Sequence, residues 1–387
     1  MQPIYLDYNA TTPVDPRVFM AMRPYLEHHF GNPSSGHLFG REARAAVDHA
    51  RGQVATLLAA TPDEIIFTGG GSESDNHAIK GIAFSQRHRG NHIITSQIEH
   101  PAVLNTCRYL EARHGFHVTY LPVDRYGRVD PATAAAAITD RTILITIMHA
   151  NNETGTIQPI VEIAALAHRA GAFMHTDAAQ SVGKIPVQVN DLNVDLLTVA
   201  GHKLYAPKGI GALYIRRGTP VDPLIHGAGH EYGQRAGTEN VAAIAALGTA
   251  CTLAAEHLEE QATRLRALRD QLYHALEQRA GPIALSGHPE HRLPNTLHVC
   301  IPGVDGEAVL ARTPEVAAST GSACHAGHTE PSPVLLAMGI DPALAAGALR
   351  LSLGRWSTAE EIDRAATALA GAIQRLRATR TRLSERT

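Results

Sequence analysis

From about residue 60 to 215, short apolar runs alternate with longer stretches whose apolar positions recur at helical spacing. The runs Glu64–Thr68, His92–Ser96, His117–Pro122, Thr142–His149, Ala172–Thr176, Leu196–Ala200 and Gly211–Ile215 predict strands, and segments such as Ile160–Ala170 predict helices between them. Strands alternating with helices imply an α/β fold: a mostly parallel sheet with helices on both faces. After residue 240 the pattern changes. Leu258, Leu265, Leu268, Leu272 and Leu276 mark one face of a long amphipathic helix. A strand around Thr296–Ile301 and a helix around Gly306–Arg312 follow. The capping box Thr358-Ala359-Glu360-Glu361 opens a last helix, with Ile362, Ala366, Leu369, Ile373 and Leu376 on its buried face. The expected organisation is an N-terminal arm over 1–15, a large domain over 16–255 and a smaller α/β domain over 256–387. The arm packs beside the small domain or across the mouth of the site.

Composition narrows the class. Of 387 residues, 44% are hydrophobic and 18% charged, too apolar for a disordered chain. A chain this long buries a core without disulfide or metal staples. A net charge of −3 gives no electrostatic case for bulk binding to nucleic acid or to an anionic membrane. The opening Met1-Gln2-Pro3-Ile4-Tyr5-Leu6-Asp7 has neither the basic nor the apolar region of a secretory leader. The weakly polar run Val241 to Ala255 is too short to span a membrane. Cys107, Cys251, Cys300 and Cys324 are far apart with no C-x-x-C pair. That argues against a disulfide framework or a zinc ribbon, and buried thiols in a reducing cytoplasm suit at least three of them.

Among 34 basic residues only Lys80, Lys184, Lys203 and Lys208 are lysines. Arginine cannot lose its proton or form an imine, so each lysine is a candidate for chemistry that arginine cannot do. Four segments carry such chemistry. Phe67-Thr68-Gly69-Gly70-Gly71-Ser72-Glu73-Ser74 reads as a strand, three glycines and a helix start. It is either a plain tight turn or an anion cradle of helix N–H groups with the Ser72 hydroxyl. Asp177 ends a strand at the sheet edge where open α/β sheets bind ligands. It is either a helix N-cap or the partner of a cation such as a pyridinium nitrogen. Lys203, one crossover unit later, falls at the same edge. It is either a surface lysine or the amine that forms a Schiff base with a cofactor aldehyde and moves the Cα proton; Lys184 and Lys208 are its rivals. Cys324 stands in the small-residue loop Ser319 to His328, either inert or a nucleophile. His100 follows a strand at the Asp177 edge, where its ring could stack on a planar cofactor. The 23 histidines invite a metal reading through Cys324, His325 and His328, or His226 and His230. No ligand spacing such as H-E-x-x-H is present, so no metal site is expected.

Taken together, ordered motifs along nearly the whole chain resemble the cysteine desulfurases of the pyridoxal-phosphate-dependent class V aminotransferase superfamily, of the first (NifS/IscS-like) group. The motifs are Tyr5 to Thr12, Asn32-Pro33-Ser34-Ser35, Gly70 to Ser74, Glu99-His100, Asn151 to Gly155, His175 to Gln180, Gly201-His202-Lys203, Arg235 to Asn240, Gly321 to Cys324 and Arg350 to Arg355. The resemblance implies the fold type I transferase fold and a set of roles. Lys203 would carry pyridoxal 5'-phosphate covalently. Asp177 would pair with the ring nitrogen, Gln180 with the ring hydroxyl, and His100 would stack on the ring and assist proton transfer. Gly71, Ser72 and His202 would hold the phosphate, with Thr238 reaching it from the partner subunit of a homodimer. Asn152 and Arg350 would hold the carboxylate of L-cysteine. The thiolate of Cys324 would take the sulfur as a persulfide, releasing alanine, for delivery to an iron–sulfur scaffold, a transfer-RNA thiolation enzyme or DNA phosphorothioation machinery.

Three positions depart from the family pattern. Ser72 stands where Thr is common, Ala200 where Ser is common, and His325-Ala326-Gly327 follows the cysteine in place of small hydroxyl residues. Ala200 and Ala323-Cys324-His325 resemble selenocysteine lyases on the same scaffold, which is the alternative activity. A thiol hydrolase using Cys324 with His325 or His328 would lack a third orienting group. A carrier that keeps the fold without chemistry would have no use for Lys203, Asp177, His100 and Cys324 together.

Overall fold

The computed structural model describes residues 3–321 and 331–384. Its strands, in chain order, are β1 (Ile4–Tyr5), β2 (Ile65–Thr68), β3 (His92–Ser96), β4 (His117–Leu121), β5 (Thr142–Thr146), β6 (Phe173–Asp177), β7 (Leu196–Ala200), β8 (Gly211–Ile215), β9 (Ala284–Leu285), β10 (Thr296–Cys300), β11 (Val316–Ala317) and β12 (Ala348–Ser352). Seven form one sheet in the order β2-β8-β7-β6-β5-β3-β4. Its pairs are parallel except those of β8, which is antiparallel to both β2 and β7. The reason is chain length. Residues 201–210 join β7 to β8, fewer than the dozen or more that a parallel crossover takes. Every residue of β3, β5 and β7 is buried, as in a sheet covered by helices on both faces.

A second, three-stranded antiparallel sheet has the order β12-β10-β9, and β1 pairs with β11 in parallel. One apolar core runs from Val18 to Ala254 under the large sheet. Another joins Leu265, Leu272 and Leu276 of the helix Leu258–Ala280 to Ile362, Ala366, Leu369 and Ile373 of the last helix, and takes in Ile4 and Leu6. The last helix opens as its motif predicts: Thr358 N donates to Glu361 Oε2 at 3.1 Å, and Glu361 N to Thr358 Oγ1 at 3.2 Å. The N-terminal arm leaves β1, bridges Asp7 to Ser352 beside the small sheet, and then lies against the large one through Thr12 N to the His202 carbonyl at 2.9 Å.

Element ends differ by a few residues from the apolar runs. The run predicted to His149 keeps its ladder only to Thr146, yet Ile147 and His149 still donate to the carbonyls of His175 and Asp177. The segment therefore follows β6 to the sheet edge. Strands β3 and β5 are neighbours, and their onward connections lead to opposite sides of the sheet, to β4 and to β6. Such a divergence opens a crevice at the C-terminal strand ends. Among the described residues, no single helix is long and apolar enough to cross a membrane.

Candidate active site

That crevice is a cavity of about 680 Å³. Most of its wall comes from segments that leave strands. After β2 the chain turns through Gly69 and Gly70 into the helix Gly71–Ser85. Gly70 has φ 144°, and among the described residues no side chain caps the helix. An N-terminus of this kind offers unpaired N–H groups to an anion. A Cβ on Gly71 would stand 3.2 Å from the Ala200 methyl, so glycine keeps this wall open. Ser72 lines it with an exposed side chain.

Asp177, the last residue of β6, is buried and accepts from Ala179 N at 2.9 Å. Burial pushes its pKa up, and His100 and Lys203 pull it back down. A buried carboxylate between two potential cations is matched to a positively charged group. His100 caps the helix Pro101–His114, with Nδ1 accepting from Ala102 N at 3.2 Å. In the neutral ring the proton therefore sits on Nε2. Burial is the main force lowering the His100 pKa, and Lys203 adds to it. His202 is also held neutral: burial first, then Lys203 and Lys208, push it down to about 4. Its Nδ1 lies 3.1 Å from Thr11 Oγ1.

Lys203 sits in the short turn Gly201–Lys203 that β7 feeds. Its Nζ donates to the carbonyl oxygens of Asn9 and, at 2.9 Å, Ala10. The arm thus holds the amine at the cavity wall. Arg350, on β12, is 4% exposed. It pairs through Nη2 with Asp7 Oδ1 at 2.9 Å and donates through Nη1 to the Asn152 carbonyl at 3.1 Å. The side-chain oxygen of Asn152 is buried, with no hydrogen-bond partner among the described residues.

The structure brings Lys203, His100, Gly71, Ser72, Asn152, Asp177, Gln180, His202 and Arg350 to this one cavity. Lys208 lines it too. Thr238 does not: it is exposed in a neighbouring cavity of about 260 Å³. Cys324, His325 and His328 lie outside the described residues. Of the other cysteines, Cys107, Cys251 and Cys300 are all buried. Burial pushes the first two up to about 12 and raises the third, so none is a thiolate at neutral pH.

Two contributors escape a reading by motif. Asn9 is fully buried, and its carbonyl receives both Lys203 Nζ and Gln180 Nε2. Asp75 lines the cavity on the helix behind the glycines; its Oδ1 has no hydrogen-bond partner among the described residues and lies 3.8 Å from His175 Nε2. Burial and the nearby Asp177 push the Asp75 pKa well up. Asn9 stood within a noted motif, but its contacts are long-range. Asp75 carries no signal in local spacing.

The donor set has the polarity of a phosphorylated pyridine aldehyde. A glycine turn and the start of a helix lie at Gly71 and Ser72, a carboxylate at Asp177, an amine at Lys203, and a planar ring at His100. Comparison with known proteins points the same way. The class V aminotransferase family matches residues 4–365. The chain is 49% identical over 376 residues to a cysteine desulfurase IscS of Dictyoglomus turgidum, covering 97% of this chain and 95% of that one. Its fold matches a solved NifS-like protein with TM-score 0.91 at 38% identity, over 96% of this chain and 100% of the other. It also matches a structure of SspA in complex with cysteine, with TM-score 0.81 at 40% identity, over 92% and 99% of the two chains.

Proposed function

This chain belongs to the class V aminotransferase family, and from that membership we propose how its residues work as those of a cysteine desulfurase. It converts L-cysteine to L-alanine and passes the sulfur on. The single observation that carries the residue assignment is the convergence of Lys203, Asp177, His100 and Arg350 on one cavity. Pyridoxal 5'-phosphate fits the donor set there. When bound, it supplies an electrophilic aldehyde and a ring that accepts the electron pair left by the Cα–H bond.

The protein's own groups do the rest. The uncapped helix start at Gly71, the Ser72 hydroxyl and His202 hold the phosphate. Asp177 faces the ring nitrogen and keeps it protonated, because a buried carboxylate favours a cation beside it. Gln180 meets the ring hydroxyl, and His100 covers the ring face. Lys203 carries the cofactor through its amine and moves the proton at Cα. Arg350, with the Asn152 side-chain NH₂ group donating, orients the substrate carboxylate, for which a guanidinium fork is suited. The Cys324 thiolate attacks the substrate sulfur: an S–S bond forms, the substrate C–S bond breaks, and Cys324 is left as a persulfide. Thr238 serves the partner's site in a homodimer. The persulfide sulfur goes to an acceptor protein in the cytoplasm.

The test is alanine and sulfide release from L-cysteine by the cofactor-loaded protein in the presence of a thiol reductant, beside Cys324→Ala and Lys203→Ala. Equal alanine and sulfide from the parent, with both variants inactive, is the expected result. A fully active Lys203→Ala protein overturns the cofactor assignment. Release from L-selenocysteine but not from L-cysteine, surviving Cys324→Ala, assigns the selenocysteine lyase reaction instead.

A further inference from the structure

The turn that follows Asp177 carries a lysine that the reaction above does not use. Gly183, at φ 74°, bends the chain, and Lys184 comes back beside Gln180. Lys184 Nζ donates to Gln180 Oε1 at 2.9 Å and to Asn9 Oδ1 at 3.2 Å. Gln180 Nε2 donates to the Asn9 carbonyl at 3.0 Å, the same oxygen that receives Lys203 Nζ. The amide of Gln180 is therefore held from both ends. A backbone carbonyl only accepts, so the NH₂ end must face Asn9. Lys184 brings an N–H bond to the other end, which must be oxygen. One Gln180 N–H is used on Asn9, and the second is left for the cavity that Gln180 lines.

The link extends further. Asn9 Oδ1 also receives Asn295 Nδ2 at 3.0 Å, and Asn9 Nδ2 donates to Thr296 Oγ1 at 2.9 Å. Lys184 thus joins the Gln180 amide to the arm and, through it, to the segment that opens β10. Each neighbour that accepts from Lys184 is itself tied to the wall carrying Lys203.

We propose that Lys184 is a positioning residue that fixes the Gln180 amide with its NH₂ toward the ring hydroxyl of the cofactor. This rests on the pyridoxal phosphate reading above. Removing Lys184 leaves the amide held at one end only, by the Asn9 carbonyl, and the side chain is free to swing about that single hydrogen bond.

The test is a double-mutant cycle over Lys184→Met and Gln180→Ala, with Lys184→Gln as the variant that keeps an N–H donor. Three quantities are read: the Kd for pyridoxal phosphate, the pH midpoint of the visible band of the bound cofactor, and the urea midpoint of each apoprotein. K184M weakens cofactor binding by about fivefold, the worth of one hydrogen bond, and moves the band midpoint. In the Q180A background its further effect on both falls below about twofold. K184Q stays within about twofold of the parent. An undiminished effect of K184M in the Q180A background overturns the proposal, and so does a K184Q protein as impaired as K184M. Where K184M does not fold, Lys184→Ala takes its place in the cycle. A parent protein that binds no pyridoxal phosphate overturns the cofactor reading instead. The apoprotein urea cycle then still decides the link: coupling between Lys184 and Gln180 supports it, and additivity overturns it.

Discussion

Arg350 and Asp7 form an ion pair at 2.9 Å that fastens the N-terminal arm to β12, an edge strand of the small sheet. The same guanidinium donates to the Asn152 carbonyl at 3.1 Å, and its buried Nε has no partner among the described residues. An incoming carboxylate must share a group already engaged on two sides. A planar fork with five donors keeps both of these bonds and still presents N–H groups to a third acceptor in one plane, a geometry the three diverging N–H bonds of an ammonium lack.

Arg350→Lys should therefore raise the KM for L-cysteine by about tenfold or more, as charge-assisted hydrogen bonds worth about 1.5–3 kcal/mol are lost. The effect on kcat should be smaller. Steady-state kinetics on the folded variant checks this; an unchanged KM would remove Arg350 from the substrate site.

Ala200 lines the wall proposed to hold the phosphate. Its methyl is 3.2 Å from the place a Gly71 side chain would take, and it lines the cavity. Ala200→Ser adds one donor with little added volume. Pyridoxal phosphate should bind about two- to tenfold tighter, the range of one net hydrogen bond. Equilibrium binding to the apoprotein reads it, and weaker binding would place the phosphate elsewhere.

Glu153 is buried, and its Oε2 accepts from Ser332 Oγ at 2.6 Å. Burial pushes its pKa up to about 7 from 4.5. Between those two values the folded protein binds more protons than the unfolded chain, so stability falls as pH rises through that window. Glu153→Gln keeps a hydrogen-bonding group without a charge to bury. From about pH 5 to 8 the parent should lose on the order of 2–3 kcal/mol relative to the variant. Urea unfolding across that range is the measurement, and parallel pH curves would show that Glu153 does not titrate there.

Gly354 meets the ring of Tyr8: a Cβ there would lie 2.0 Å from Tyr8 Cε1. Tyr8 is 5% exposed and edge-on to Tyr5 at 4.9 Å between ring centres. The ring has little room to yield. Gly354→Ala should cost roughly 1–3 kcal/mol, the usual range for overpacking, read as a lowered denaturation midpoint. A midpoint equal to the parent's would mean the arm moves aside freely.

Much of the fold was legible because its signals are local. β3, β7 and β8 coincide residue for residue with the apolar runs His92–Ser96, Leu196–Ala200 and Gly211–Ile215. The capping box of the last helix closes as its spacing requires. Asp177 and Lys203 reach one cavity because one crossover unit separates two neighbouring parallel strands. The antiparallel placement of β8 was not read from the pattern of apolar positions, since a run of this kind carries no strand direction. Asp75 was missed for a related reason. A buried polar side chain on a helix looks like any other polar position until the opposite wall is known.

What the sequence determined by itself is the succession of strands and helices and the set of chemical groups at the strand ends, since both depend on near neighbours along the chain. Only the tertiary structure decided which partners satisfy the buried polar atoms. Asn9 bonds to Asn295 across 286 positions, and Arg350 pairs with Asp7 across 343. No periodicity encodes such pairs. A buried donor or acceptor must find a partner or lose the free energy of its hydration, and which residue answers depends on how the whole chain packs. Those pairings place the arm over Lys203 and set the amide of Gln180.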